Sequence, residues 1–379
     1  MKFVVSSAVL LDQLSLIKGA IPKNPVMPIL ENFLFEIRDG KLVITASDLQ
    51  TSMITELPID AEENASIAVP AGILTDTLNN LPSQPVSFFI DTETFAIELN
   101  SENGRYKLAG ENAIDFPRIP SVKQADSVEI PAEVLQRAIN YTIFCTGTDD
   151  LRPAMTGVLF ELNETESNFV ATDGHRLVRY RRSDIVSPEG ASSSLILPRK
   201  ALNLLKSALP NDKTPVTFSW NTSNAYFTIG SVKMICRLID ERYPDYEGAI
   251  PMNNPYVMVI QRVEFLNSLK RIAIYASKTT HQVRLKISRA ELTISAEDLD
   301  FSNEANERLE CDFDGEDTME IGFNARLLME MLNNLESSMV RMELLAPSKQ
   351  GLLIPNKTDE SENILMLVMP VMLNSYATY

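Results

Sequence analysis

The sequence predicts an α+β protein built from three repeats of one module, each with two helices packed on antiparallel sheets. Three observations predict it. Strand-like hairpins recur at intervals of 125 residues, amphipathic helix-length segments fall at matching places between them, and 379 residues exceed what one hydrophobic core organises at roughly 100–200 residues per domain.

Each repeat opens with a helix-length segment carrying apolar residues at spacings of three and four: 8–20, 131–142 and 261–276. A hairpin follows. Its first strand contains Phe33-Leu34-Phe35-Glu36, Val158-Leu159-Phe160-Glu161 or Val283-Arg284-Leu285-Lys286, and its second ends at Asp48, Asp173 or Asp298, again 125 residues apart. Between the strands of the first hairpin lies Asp39-Gly40, a hairpin signal because the glycine accepts positive φ. A second helix begins beside a proline or glycine, over 71–81, 198–209 and 323–335, and stops near Leu81-Pro82, Leu209-Pro210 and Leu335. Phe116-Pro117-Arg118-Ile119-Pro120 and Tyr243-Pro244-Asp245-Tyr246 close the first two repeats, so boundaries are expected near Lys123 and Pro255, giving domains 1–123, 124–254 and 255–379.

With 45% hydrophobic and 22% charged residues the composition is that of a globular protein rather than a disordered one. Three dispersed cysteines, Cys145, Cys236 and Cys311, read as reduced thiols of a cytoplasmic protein and not as a disulfide framework. The segment Met1 to Gly19 is too interrupted by polar residues for a signal peptide, and the apolar stretch Ile364 to Leu373 is too short to span a membrane.

A formal charge of −17 argues against a surface that coats nucleic acid. The charge is unevenly placed. The six expected helices carry nine basic and five acidic residues, a sum of +4, which leaves −21 on the rest of the chain. Helices gathered on one side would make that side alone congenial to phosphates, with Arg137, Arg199, Lys200, Lys206, Lys270 and Arg271 as candidate contacts. No base-reading motif accompanies them, so contact is expected to be insensitive to sequence. The plainer reading is that basic residues favour helix surfaces.

Catalytic signatures are absent: there is no dinucleotide-binding glycine loop, phosphate loop, metal-ligand spacing or nucleophile elbow, so no cofactor and no metal are expected. Asp173 and His175, in Thr172-Asp173-Gly174-His175-Arg176-Leu177, could form an acid–base pair. Against this, Asp48 and Asp298 hold the same place in the other repeats without a histidine, which favours a turn or cap role.

Seven segments in order then carry a resemblance over the whole chain: Met1-Lys2-Phe3, Pro28-Ile29-Leu30-Glu31-Asn32, Ala171 to Leu177, Pro198-Arg199-Lys200, Tyr243-Pro244-Asp245-Tyr246, Ile321-Gly322-Phe323-Asn324 and Val368-Met369-Pro370. On these the chain resembles the bacterial DNA polymerase III β subunit family, the replicative sliding clamps. The resemblance implies three clamp-type domains forming half of a closed, head-to-tail homodimeric ring that encircles double-stranded DNA and slides without sequence specificity. It implies no catalysis in this chain, any 3′–5′ exonuclease activity belonging to the holoenzyme. Partners would be the DNA polymerase III catalytic subunit, the clamp loader, and other polymerases and mismatch-repair proteins, each through a short linear peptide.

By the same resemblance, Tyr106 and Leu108 of one copy would pack on Ile274 and Tyr275 of the other, and Lys23 and Arg152 would join the DNA-facing set. The peptide pocket would take Met155, Thr172, Gly174, His175, Arg176, Leu177 and Pro244 from the second repeat, and Asn324, Leu327, Val368, Met369, Pro370 and Val371 from the third. The chain departs from the family pattern at Gly248, Thr280 and Met372, and Asn24 stands where a DNA-contacting arginine is common. Past Leu373 it continues as Asn374-Ser375-Tyr376-Ala377-Thr378-Tyr379. Two other readings stand beside the clamp: a peptide-binding scaffold of the same architecture that does not encircle DNA, and a hydrolase using Asp173 and His175.

Overall fold

The computed structural model describes residues 2–61, 63–121, 125–187, 192–357 and 359–373. The expected boundary at Lys123 and the tail Asn374–Tyr379 lie outside them. Among the described residues there are six α-helices, two per expected repeat: α1 (Ser7–Ile17), α2 (Ala71–Asn79), α3 (Ala132–Thr142), α4 (Arg199–Ala208), α5 (Arg262–Ile272) and α6 (Ala325–Asn333). None is long and apolar enough to cross a membrane.

The helices form where the apolar period dictates. In α1 the residues Leu10, Leu14 and Ile17 are fully buried at spacings of four and three, while Asp12 and Ser15 face solvent. Helix ends differ from the sequence expectation in two ways. The segments 8–20, 131–142 and 261–276 finish or continue as tight 3₁₀ turns, Lys18–Ala20, Ile143–Cys145 and Ala273–Tyr275. The last helix begins at Ala325 rather than Phe323, because Ile321 and Phe323 keep the two-residue alternation of a buried strand, Met319–Asn324, and the Asn324 side chain caps the helix by accepting the Arg326 N–H at 3.0 Å. The Asp39-Gly40 turn has φ of 50° and 75°, the type I′ geometry that the dipeptide signals.

The chain divides into two compact units. The first comprises residues 1–136 and 197–238. Its eight-stranded sheet places Val232–Arg237, the last strand of the second repeat, antiparallel to Thr51–Pro58 of the first, with Val232 opposite Thr55 and Cys236 opposite Thr51. Its five-stranded sheet ends at Arg105–Ala109, whose outer edge has no strand beside it among the described residues.

The second unit comprises residues 137–196 and 239–379. In its nine-stranded sheet Arg176–Arg182 of the second repeat pairs with Glu362–Val368 of the third, from Arg176 opposite Val368 to Arg182 opposite Glu362. Its four-stranded sheet ends at Asn303–Glu310, also an open edge among the described residues. Where one repeat meets the next within a unit, the sheet runs straight through.

Candidate functional site

The Thr172–Leu177 segment is a turn held by its own side chains. Thr172 Oγ1 donates to the Arg176 carbonyl at 2.7 Å and accepts the Gly174 N–H at 3.1 Å, and the Asp173 carboxylate accepts the backbone N–H groups of His175 and Arg176 at 2.9 and 3.0 Å. Gly174 sits at φ 89°, and a Cβ there would lie 3.0 Å from Arg152 Nη1. Asp48 repeats the arrangement in the first unit, accepting from Gln50 and Thr51. The other Asp173 oxygen takes the Arg176 guanidinium at 3.0 Å, so its hydrogen bonds among the described residues go to the turn and Arg176, not to the His175 ring.

Arg176 locks this turn to the third repeat. Its side chain is 8% exposed, pairs with Glu330 of α6 at 2.5 Å, donates to the Phe144 carbonyl at 3.0 Å and lies over the Phe144 ring. Burial alone would lower its basicity; Glu330 and Asp173 outweigh that and raise it, so the group is a fixed cation.

The chain leaves the Glu362–Val368 strand beside the same turn. Met369 donates its N–H to the His175 carbonyl at 2.9 Å, and the Val371 N–H reaches the Gly322 carbonyl at 2.8 Å, two residues before the Asn324 cap. The structure thereby gathers His175, Arg176, Val368, Met369, Val371 and Asn324 around one locus. Below them Leu177, Leu352, Leu365, Leu367, Ala154 and Tyr246 form a buried apolar floor, with Tyr243, Ile250 and Ile354 half-buried against it. Met369 and His175 are exposed. The Met155 carbonyl accepts from Gly147 at 2.7 Å; Pro244, between Tyr243 and Asp245, and Leu327 of α6 are half-buried.

The departures are placed as well. The Gly248 N–H bonds to Asp245 at 3.2 Å, Met372 is 74% exposed, and Thr280 lines a separate cleft of roughly 420 Å³ with Gln282, Arg284 and Asp298.

The cations expected to face DNA fall into two groups. Lys200 pairs with Asp48, Arg271 with Glu307 at 2.6 Å, Arg152 with Asp149 at 3.0 Å, and Arg137 with Glu362 at 2.9 Å and also Glu336. Among the described residues Lys23, Arg199, Lys206 and Lys270 have no ion pair, and all four are exposed. At the expected dimer contact, Ile274 and Tyr275 are 75% and 43% exposed, whereas Leu108 is already 8% exposed within its own sheet.

One residue of this region carries no sequence signal. Glu362, with a side chain 4% exposed, accepts from Arg137, from the Tyr180 hydroxyl at 2.9 Å and from Arg182 at 3.4 Å. Burial would raise its carboxyl; hydrogen bonds from Arg137 and Tyr180 outweigh burial and hold it below the usual glutamate range. Its partners lie 180 or more residues away, so no local pattern could reveal it.

Comparison with known proteins matches the three family profiles in order: DNA polymerase III beta subunit, N-terminal domain over residues 1–120, central domain over 129–245 and C-terminal domain over 247–371. The chain is 30% identical over 374 residues to the beta sliding clamp of Escherichia coli K12, and 29% identical to that of Vibrio cholerae, in both cases across 98% of this chain and all of the relative. The crystal structure of the DNA polymerase sliding clamp from Pseudomonas aeruginosa with ligand superposes with a TM-score of 0.93 at 27% identity, over 98% of this chain and 100% of that one. The β subunit structure from Thermotoga maritima, 24% identical, shares the fold with a TM-score of 0.89 over 98% and 99% of the two chains. Repeat, fold and profiles agree, and the chain belongs to the DNA polymerase III β subunit family, the β sliding clamps.

Proposed function

We propose that two copies of this chain, each divided near Lys123 and Pro255, close head to tail into a ring around duplex DNA and act as a non-catalytic processivity factor in the cytoplasm. The observation that carries the reading is that, among the sheet edges, Arg105–Ala109 and Asn303–Glu310 are open where their counterparts in the other repeats are paired. They are the last strand of the first repeat and the fourth strand of the third. The corresponding strands of the other repeats pair with each other inside each unit. An unpaired edge is a template for another chain, and a head-to-tail contact that closes gives a ring instead of a filament.

The two internal junctions also set a register for the third. Ile97 pairs with Leu108 across its hairpin as Ala225 pairs with Cys236 and Gly351 with Val368, and Cys236 and Val368 stand opposite Thr51 and Arg176. Leu108 therefore belongs opposite the partner's Asn303 and the exposed Lys107 opposite the partner's Glu304, with Tyr106, Ile274 and Tyr275 nearby. The unpaired Lys23, Arg199, Lys206 and Lys270 would meet phosphates loosely, which suits sliding. The His175–Met369 locus would seat peptides of the polymerase, the clamp loader and repair proteins.

The test is retention after loading on nicked circular duplex and on the same duplex linearised. Retention on the circle with rapid loss from free ends supports encirclement. Equal retention on both, or on neither while peptides still bind, rejects it in favour of a scaffold that does not encircle DNA.

A further inference from the structure

Both internal junctions set a helix against the Asp turn of the preceding repeat, α4 through its first turn and α6 through its middle. In the first unit Lys200, the second residue of α4, pairs with Asp48. In the second unit Glu330, the sixth residue of α6, pairs with Arg176, next in space to Asp173. Each seam is ionic. Under the ring reading, α2 of one copy would meet the turn after Asp298 in the other.

The residues at that third seam have changed together. The second position of α2 is Gly72, where α4 has the seam cation Lys200, and the sixth is the exposed Asp76, where α6 has Glu330; a Cβ at Gly72 would have no atom within 4 Å, and Ile73 beside it is 54% exposed. Opposite, the turn is longer. Four residues separate Ser47 from its cross-strand partner Ser52 and Thr172 from Leu177, but six separate Glu297 from Glu304. The longer turn exposes Leu299 by 63% and Phe301 by 69%, and Ser302 takes φ 54° to make the bend. Asp298 bonds internally to the Asp300 N–H at 3.2 Å, and neither Asp298 nor Asp300 has an ion pair among the described residues.

We infer that the seam between two copies is apolar: Leu299 and Phe301 of one copy pack on the partner's Ile73, filling the space that a lysine would occupy at Gly72. The inference rests on the ring reading and names what holds this junction. Removal of the cation, lengthening of the turn and exposure of three apolar side chains are one complementary change, since an apolar surface left in water on both sides costs stability that contact recovers.

The experiment mixes copies bearing one engineered cysteine each, in a Cys311→Ser background, and treats them with a short bis-maleimide. One pair is Lys107→Cys with Glu304→Cys, which reports the strand register; the other is Ile73→Cys with Phe301→Cys. Covalent dimers from both pairs support the inference. Dimers from the first alone leave the ring intact and overturn the apolar seam; dimers from neither overturn the ring reading and the inference with it. Independently, Leu299→Ser with Phe301→Ser is expected to raise the dimer dissociation constant by about tenfold to a hundredfold with an unchanged circular dichroism spectrum, since both side chains are exposed in the single chain. An unchanged dissociation constant contradicts the seam.

Discussion

Replacing Glu362 by Gln removes the charge at the centre of the junction between the second and third repeats while keeping shape and one acceptor oxygen. The wild-type carboxylate is 4% exposed and serves Arg137, Tyr180 and Arg182. Breaking a buried ion pair by removing one partner costs about 3–5 kcal/mol. Here the orphaned cations retain company, Arg137 with Glu336 and Arg182 with Asp184 at 2.5 Å, so the loss should be nearer 2–3 kcal/mol, about that of one or two charge-assisted hydrogen bonds. The loss depends on pH in a definite direction. The folded carboxyl is held below its ordinary 4.5, so its contribution is complete above that value and disappears as pH falls through the folded one. Calorimetry together with hydrogen exchange of the Arg176–Arg182 and Glu362–Val368 amides at pH 7 and at about pH 3 measures both effects. The variant should be weaker than wild type at pH 7, with the gap closing in acid; equal stability at pH 7, or a gap that widens in acid, refutes the reasoning.

Other expectations concern the surfaces. Ile274→Asp, at a residue 75% exposed in the single chain, should yield folded monomers by sedimentation, whereas Leu108→Asp should also lower the melting temperature because Leu108 is buried at home. Neutralising Arg199, Lys206 and Lys270 should reduce the salt dependence of DNA retention by a slope of about one for each residue that meets a phosphate, without altering peptide binding. Met369→Ser and His175→Ala should weaken binding of a leucine- and phenylalanine-bearing peptide in a fluorescence titration and leave the melting temperature near wild type, since both side chains are exposed.

Much of the architecture was legible because the repeat preserved register. Hairpins at Phe35, Phe160 and Leu285 and six helices follow from periods of two and 3.6, which are local properties of the backbone. Helix ends were less legible: Phe323 fits either period, and only its pairing with Val283 assigns it to a strand. At the site, the sequence could suggest that Asp173 serves a turn, since Asp48 matches it, but it could not show that Arg176 carries the bond to Glu330 or that Glu362 gathers Arg137, Tyr180 and Arg182. Those contacts span up to 225 residues and depend on strands meeting at a repeat junction, which no window of sequence contains. Composition likewise could not separate Lys200, spent on Asp48, from the unpaired Lys206.

Closure of the two open edges on each other can be read from sedimentation equilibrium of the intact chain. One species at twice the 42.3 kDa of the chain is expected, saturating at that mass as concentration rises. A chain that stays at 42.3 kDa, or a series of masses growing past two copies as an unclosed head-to-tail contact would produce, contradicts it.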